Sequence, residues 1–428
     1  MSTLFRDVCL YDGSMERARR ADLLVEGGDI AQIGLPGTLS GEKREVLDGR
    51  GELLLLPGFF NAHCHAAMTL LRGLGEEEPL MEWLERKIWP LEGKLTPEQI
   101  YEGTSQAVCE MVKNGVTGFS DMYYHMDQVA RAVNDLGVRG AIAVGVVSRN
   151  AELLEKSLYR DYGNVAGPRI VNNLDPHAPY TVTFEGMCRI AEVALQKDMP
   201  FQFHFLEAQW ERDYIQKNFG LTPIQYLEKT GLMKIRRLVL AHGVWLNEEE
   251  IDYLAAHDAA VVHCPSSNTK LGSGVAPLPA MYAKNLRVAL GTDGAASNNR
   301  LDLWDEMRLA ALLHKGVSKD PTVVTARQLI RSATYEGARA FGFEKTGLLR
   351  EGWTADFAAV DLKALHYIGA DEENVAGYLV YAGSSADVRH VMCGGVWLMK
   401  DRVFLPRPEK DIREASSAMR GKLIASLQ

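Results

Sequence analysis

What this 428-residue chain lacks narrows its reading first. Its six cysteines (Cys9, Cys64, Cys109, Cys188, Cys264 and Cys393) are scattered and form no C-x-x-C pair. That pattern fits reduced thiols better than a disulfide framework or a thiolate zinc site. No apolar run approaches the roughly 20 residues of a membrane-spanning helix. No dense Lys/Arg run appears and the formal net charge is −9, whereas a nucleic-acid surface requires a basic patch. The opening stretch, "MSTLFRDVCLYDG", has no basic region followed by an apolar core, so no signal peptide is expected and the chain reads as cytoplasmic. Repeats, low-complexity segments and a flexible linker are missing too. What is present is 46% hydrophobic and 24% charged residues, the balance of an ordinary globular chain with ample core.

Between about residues 58 and 293 lie eight short runs that read as buried parallel strands, most followed by amphipathic helical sequence. They are "GFFNAHCH", "VTGFSDM", "RGAIAVGVV", "RIVNNLDPHAP", "PFQFHFLE", "RLVLAHG", "AAVVHCPSSN" and "RVALGTDG". Apolar runs alternating with helices imply a parallel sheet covered on both faces, and eight of them imply a (β/α)8 TIM-type barrel. "LTPEQI" and "NEEEIDYL" open helices with capping boxes at Thr96/Gln99 and Asn247/Glu250. The flanks differ. "DLLVEGGDIAQIG" reads as a hairpin turning at Gly27-Gly28-Asp29, and residues 351–405 again give short β-runs with glycine turns. The expected organisation is therefore a barrel over residues 57–350. A small β-sandwich-like domain is assembled from residues 1–56 and 351–428, the latter ending in a helix from Glu409.

A barrel of this kind works at the C-terminal ends of its strands, and the polar residues collect there. The runs end in His63/His65, Asp121, Arg149, Asp175/His177, His204/Glu207, His242, His263/Asn268 and Asp293. His63 and His65 stand two apart, a spacing that puts both imidazoles on one strand face. With His204 from the fifth run and Asp293 from the eighth they make a three-imidazole, one-carboxylate set, which suits Zn²⁺ or Fe²⁺ with a position left open for water. Such a metal brings water within reach of ionisation at neutral pH. Glu207, three residues past His204, would face the other way in a continuing strand, so the strand must bend or end there. A carboxyl so placed can carry protons as general acid and base. His242 can orient the water or hold the oxygen that acquires charge. Cys64, Trp83 and Trp89 read as packing, and His125, His257, His314, His366 and His390 receive no role.

Together "PGFFNAHCHAAMTLLRG", "HFLE", "LAHG", "HCPSSNTKLGSG" and "LGTDGAASNN" resemble the amidohydrolase superfamily, specifically its 5-methylthioadenosine/S-adenosylhomocysteine deaminase branch, over about residues 50–345. The resemblance implies one divalent transition metal per chain, held by His63, His65, His204 and Asp293, with zinc expected and iron suited to the same donors. It implies Glu207 as proton shuttle, with His242 and Asp293 acting on the water. Glu92, His177 and an arginine after the third strand would contact a nucleoside together with Glu207 and Asp293. For that arginine Arg149 is nearest, slightly off the family's position, and Arg160 is the alternative; Val144 stands where the family often has another arginine. Binuclear relatives need a lysine ending the fourth strand, and "NNLDPHAP" has none.

The expected activity is hydrolytic deamination of a small 6-aminopurine nucleoside, with no nucleic acid or membrane partner and a homo-oligomer left open. Two alternatives stand beside it. One is a mononuclear amidohydrolase acting on a free purine, a pterin or a triazine-type ring. The other is a barrel that has become a binding scaffold.

Overall fold

The computed structural model describes residues 2–42, 44–146 and 167–426. Eight parallel strand positions form the barrel, and each is built from the apolar runs noted above. They are Phe59–Cys64, Val116–Tyr123, Arg139–Val146, a fourth in two pieces (Ile170–Asn172 and Asp175–Pro176), Phe201–Phe205, Leu238–His242, Ala260–His263 and Arg287–Leu290. Regular parallel ladders join the first four and the last four. The two seams close differently. Between the fourth and fifth strands a single bridge pairs Leu174 with Phe201, and Gln202 N donates to Leu174 O at 3.0 Å.

Between the eighth and first strands, Asp293 N donates to His63 O at 3.0 Å. The Asn61 side chain completes that seam by donating to Thr292 Oγ1 (2.7 Å) and accepting from Thr292 N (2.9 Å). A Cβ at Gly291 would fall 2.9 Å from both Cβ and N of His63, so the approach of these strands requires glycine there. This seam is where two of the chemically interesting strand ends meet.

The termini combine in a second element, nine strands hydrogen-bonded as one sheet. Residues up to Pro57 supply five, and the segments Phe357–Asp361, Val388–Cys393, Val396–Lys400 and Val403–Phe404 supply four. Phe357–Asp361 pairs antiparallel with Leu53–Pro57, joining the two ends of the chain. The Gly27-Gly28 turn has φ of 62° and 103°, the positive values that a two-residue hairpin loop of this hand needs. Phe5 and Phe357 pack edge-to-face at 5.0 Å in this sheet's own core. The final helix, Glu409–Ala425, returns to the barrel and lies on the helix Pro97–Lys113, where Gln99 Nε2 donates to Met419 O at 3.1 Å. Both expected capping boxes are present, at Thr96/Gln99 and Asn247/Glu250. Among the described residues no helix is long and apolar enough to cross a membrane.

Candidate metal centre and active site

Four imidazoles converge at the C-terminal mouth of the barrel, and in each the Nδ1 atom is already engaged. His65 Nδ1 pairs with Met122 O (2.7 Å), His204 Nδ1 with His177 O (2.7 Å) and His242 Nδ1 with Asn268 Oδ1 (2.9 Å). His63 Nδ1 meets Gln202 Oε1 at 3.2 Å, and that amide is oriented by its own Nε2 donating to Ala62 O at 2.8 Å. A backbone carbonyl can only accept, so the His65 and His204 Nδ1 atoms carry the proton. Their Nε2 lone pairs are thereby left facing the centre, as metal-binding imidazoles require.

The backbone turns these groups inward. His204 is in register with Ala241, and Phe205 with His242. Residues in register share a face, so strand alternation alone would put His242 outside with Phe205. Its φ of +74° reverses that, and Leu206 at +52° and Asp293 at +59° make similar left-handed turns. Leu206 ends the fifth strand's alternation and brings Glu207 to the same side as His204. This is the bend that the "HFLE" spacing requires. Non-glycine residues held in that region cost of order 1–3 kcal/mol each and gather at functional sites.

His263 shows the contrast. It is in register with Leu290, on the outer side, and has no such turn. Its Nε2 lies 3.2 Å from His314 Nε2 on the covering helix, so it does not serve the centre although it ends a strand as the others do.

Two overlapping triads, His63/His65/Asp293 and His63/His204/His242, each bring three ligand-type atoms within 4.8 Å of one another. Asp293 Oδ1 is 3.2 Å from His65 Nε2 and 3.5 Å from His63 Nε2. Its Oδ2 accepts from Ser267 Oγ (2.6 Å) and Ser297 Oγ (2.8 Å). His63 Nε2 is buried and has no hydrogen-bond partner among the described residues. Burial pushes His63 down to about 4 and His204 well below the usual imidazole range. Against the opposition of burial, the facing His63 and His65 rings hold the Asp293 carboxyl well below its ordinary value. Against burial, the hydrogen bond and charge of Asp293 push His65 up to about 9, so His63 and His204 are held neutral while His65 shares a proton with the carboxylate. Inward imidazoles, an ionised carboxylate and an orphaned ring nitrogen are the donor set of a divalent metal site.

Beside this cluster, Glu207 is 4% exposed. Its Oε1 accepts from Ser273 Oγ (3.1 Å), and Oε2 lies 3.7 Å from His242 Nε2. Burial, with the Asp293 charge adding to it, pushes the Glu207 carboxyl up to about 8. Glu92, His177, Glu207 and Asp293 all line an inner cavity of about 60 Å³ at the centre. An outer cavity of about 580 Å³ shares Trp89, Glu92, Tyr124 and Tyr180 as walls. Trp83 and Trp89, read from sequence as packing, do pack against the barrel's core and also line the inner space, and the buried Trp83 Nε1 has no hydrogen-bond partner among the described residues. Arg149 and Arg160 lie outside the described residues. Gln202, Ser267, Asn268, Ser273 and Ser297 were given no role from sequence. Four of them sit within the quoted "PSSNTKLGSG" and "GAASNN" stretches, directly after strand ends, and that placement is the signal that could have found them.

Comparison with known proteins places the chain in a family. A model of the amidohydrolase family matches residues 54–398. The 5-methylthioadenosine/S-adenosylhomocysteine deaminase of Syntrophomonas wolfei is 41% identical over 420 residues, covering 96% of this chain and 97% of its own. The enzyme of the same name from Pyrococcus abyssi is 37% identical over 419 residues, with coverage of 96% and 97%. An adenosine deaminase from Xanthomonas campestris, solved with bound zinc, superposes with a TM-score of 0.90 at 31% identity, over 99% of this chain and 98% of its own. The atrazine chlorohydrolase of Arthrobacter aurescens, complexed with zinc, gives 0.88 at 26% identity over 98% and 100%.

Proposed function

The chain belongs to the amidohydrolase family, and on that premise we propose that it hydrolyses a 6-aminopurine nucleoside to the inosine analogue and ammonia. The substrate class is adenosine, 5′-deoxyadenosine, 5′-methylthioadenosine or S-adenosylhomocysteine. One observation carries the reading: a buried Glu207 carboxyl, 3.7 Å from His242 Nε2 and pushed up to about 8 by burial, stands beside a His/Asp cluster with the donor set of a divalent cation. A group with such a pKa can both give and take a proton near neutral pH, which is what exchange of an amino group for oxygen on a purine ring demands.

His63, His65, His204 and Asp293 are assigned as ligands of one metal per chain. Zinc is favoured by the borderline nitrogen and oxygen donors and by the zinc-bound relatives. When bound, it supplies Lewis-acid activation of water. The chain's own groups do the rest. Glu207 takes a proton from the attacking water and gives it to ring nitrogen 1; the water's second proton passes to the amino group, whose bond to ring carbon 6 then breaks to release ammonia. His242, fixed through Asn268, turns its Nε2 toward the oxygen that joins ring carbon 6. Asp293, tied at Oδ2 by two serines, keeps Oδ1 free for the centre. Glu92 and His177, on the cavity wall, are assigned to the ribose. A site that hydrogen-bonds ribose hydroxyls rejects a base lacking them, because its buried polar groups are left unpaired.

A panel of nucleosides, free adenine, guanine, a pterin and a chlorotriazine, followed by ammonia release and loss of the adenine absorption band, tests this. Adenosine-type nucleosides should be turned over best. A free base as best substrate would overturn the ribose contacts, and a triazine or pterin would overturn the nucleoside reading.

A further inference from the structure

Glu211 is a second carboxylate that the deaminase chemistry leaves unused, and it is 1% exposed in the first turn of the helix Trp210–Phe219. Its two oxygens accept three consecutive backbone N–H groups. Oε2 takes Leu206 N (2.9 Å), and Oε1 takes both Glu207 N (2.9 Å) and Ala208 N (3.0 Å). These three residues form the bend, left-handed at Leu206 (φ +52°), that swings Glu207 inward. Ala208 O in turn accepts from Glu211 N (3.1 Å), and on the opposite side the sixth strand's loop meets this segment, with Gly243 N donating to Phe205 O (3.1 Å) and Trp245 N to Leu206 O (3.0 Å). The strained Leu206 is thus held through its carbonyl from one side and through its N–H by Glu211 from the other.

We propose that Glu211 is a positioning residue for the Glu207 proton shuttle, acting by gripping the 206–208 backbone; the inference rests on the shuttle role assigned above. Three donors converging on two oxygens need an acceptor at both. A glutamine in place of Glu211 offers one accepting oxygen and one donating nitrogen. It would confront at least one backbone N–H with another donor, and the turn would relax away from its strained geometry.

The test is a double-mutant cycle of Glu211→Gln and Glu207→Gln, with single-turnover rates counted per bound metal ion so that loss of folded protein does not enter. Glu211→Gln alone should lower kcat by ~10–100-fold while KM and metal content stay within about twofold, the pattern of a group whose effect is confined to the chemical step. In the Glu207→Gln background the same change should have almost no further effect, because the two residues act through one function. Glu211→Asp, which keeps two accepting oxygens, should recover part of the lost rate. Equal losses in both backgrounds, loss of metal, or a change in KM alone would overturn the proposal by showing a general structural role. A fully active Glu207→Gln enzyme would instead strike down the shuttle assignment itself.

Discussion

The two ends of the barrel bury charge in opposite ways. At the N-terminal end, Arg139 opens the third strand and meets Asp356, just ahead of the strand Phe357–Asp361 of the small sheet. The pair is bidentate, with Nη2 to Oδ1 at 3.0 Å. Asp356 also accepts from Thr346 Oγ1 (3.2 Å), Thr354 Oγ1 (3.1 Å) and Gly394 N (2.6 Å). At the C-terminal end, the buried atoms His63 Nε2, Asp121 Oδ2, Asp175 Oδ2 and Asn268 Nδ2 have no hydrogen-bond partner among the described residues. Leaving such an atom unpaired costs about 1–3 kcal/mol. One end therefore uses its charged groups to join two parts of the molecule, and the other gathers ligand-type atoms around a common centre. Stability and catalysis divide between the two ends of a TIM barrel in just this sense.

The difference is broken most sharply at the working end. Glu207→Gln should lower turnover by about 10²–10⁴-fold, the usual worth of a general acid–base group. Because the amide is nearly isosteric, metal content and unfolding midpoint should stay at wild-type values. Steady-state rates beside elemental analysis check this, and a variant within tenfold of wild type would show the shuttle misassigned. At the other end the losses should fall on folding instead. Arg139→Met leaves Asp356 buried without its counter-charge, which should cost about 3–5 kcal/mol in urea unfolding. Turnover per folded molecule should not change. Replacing both partners by apolar residues should cost less than either single change.

Acid gives a smaller version of the same contrast. Burial opposes ionisation of Asp356, but Arg139 holds its carboxyl below the usual carboxylate value. A group whose pKa is lower folded than unfolded adds stability above its unfolded value, ~3.9 for aspartate, and loses it as pH falls through the folded value. Wild-type stability should therefore fall more steeply below about pH 4 than that of Asp356→Asn. Thermal midpoints of the two proteins across that range measure it. Parallel curves would show that the pair does not govern the acid limb.

The same contrast explains what could be read from sequence. His63, His65, His204 and Asp293 were legible because each ends an apolar run, and Glu207 because its spacing from His204 demanded a bend. His242 and His263 could not be told apart that way. Both end strands on the outward register, and only a backbone torsion, +74° at His242, separates a site residue from one paired with a helix. Trp83 and Trp89 read as packing because apolar residues on a short helical segment look the same whether they face a core or a cavity. The groups that fix the imidazoles, Gln202 and Asn268, are joined to their partners across 139 and 26 residues, and no local pattern encodes such a pairing.

The smallest expected effect lies in the two serines on Asp293 Oδ2. A charge-assisted hydrogen bond contributes more than a neutral one, about 1.5–3 kcal/mol, yet here two hydroxyls share a single oxygen. Losing one leaves the carboxylate oriented by the other, so Ser267→Ala or Ser297→Ala alone should weaken metal binding by no more than about tenfold, the low end for groups that orient a ligand. The double variant should lose more than the product of the two, since only then is Oδ2 freed to turn toward the centre in place of Oδ1. Competition with a zinc chelator reads the affinities directly. If the two losses simply multiply, the hydroxyls do not substitute for each other. Asp293 would then be held independently at each of its two contacts.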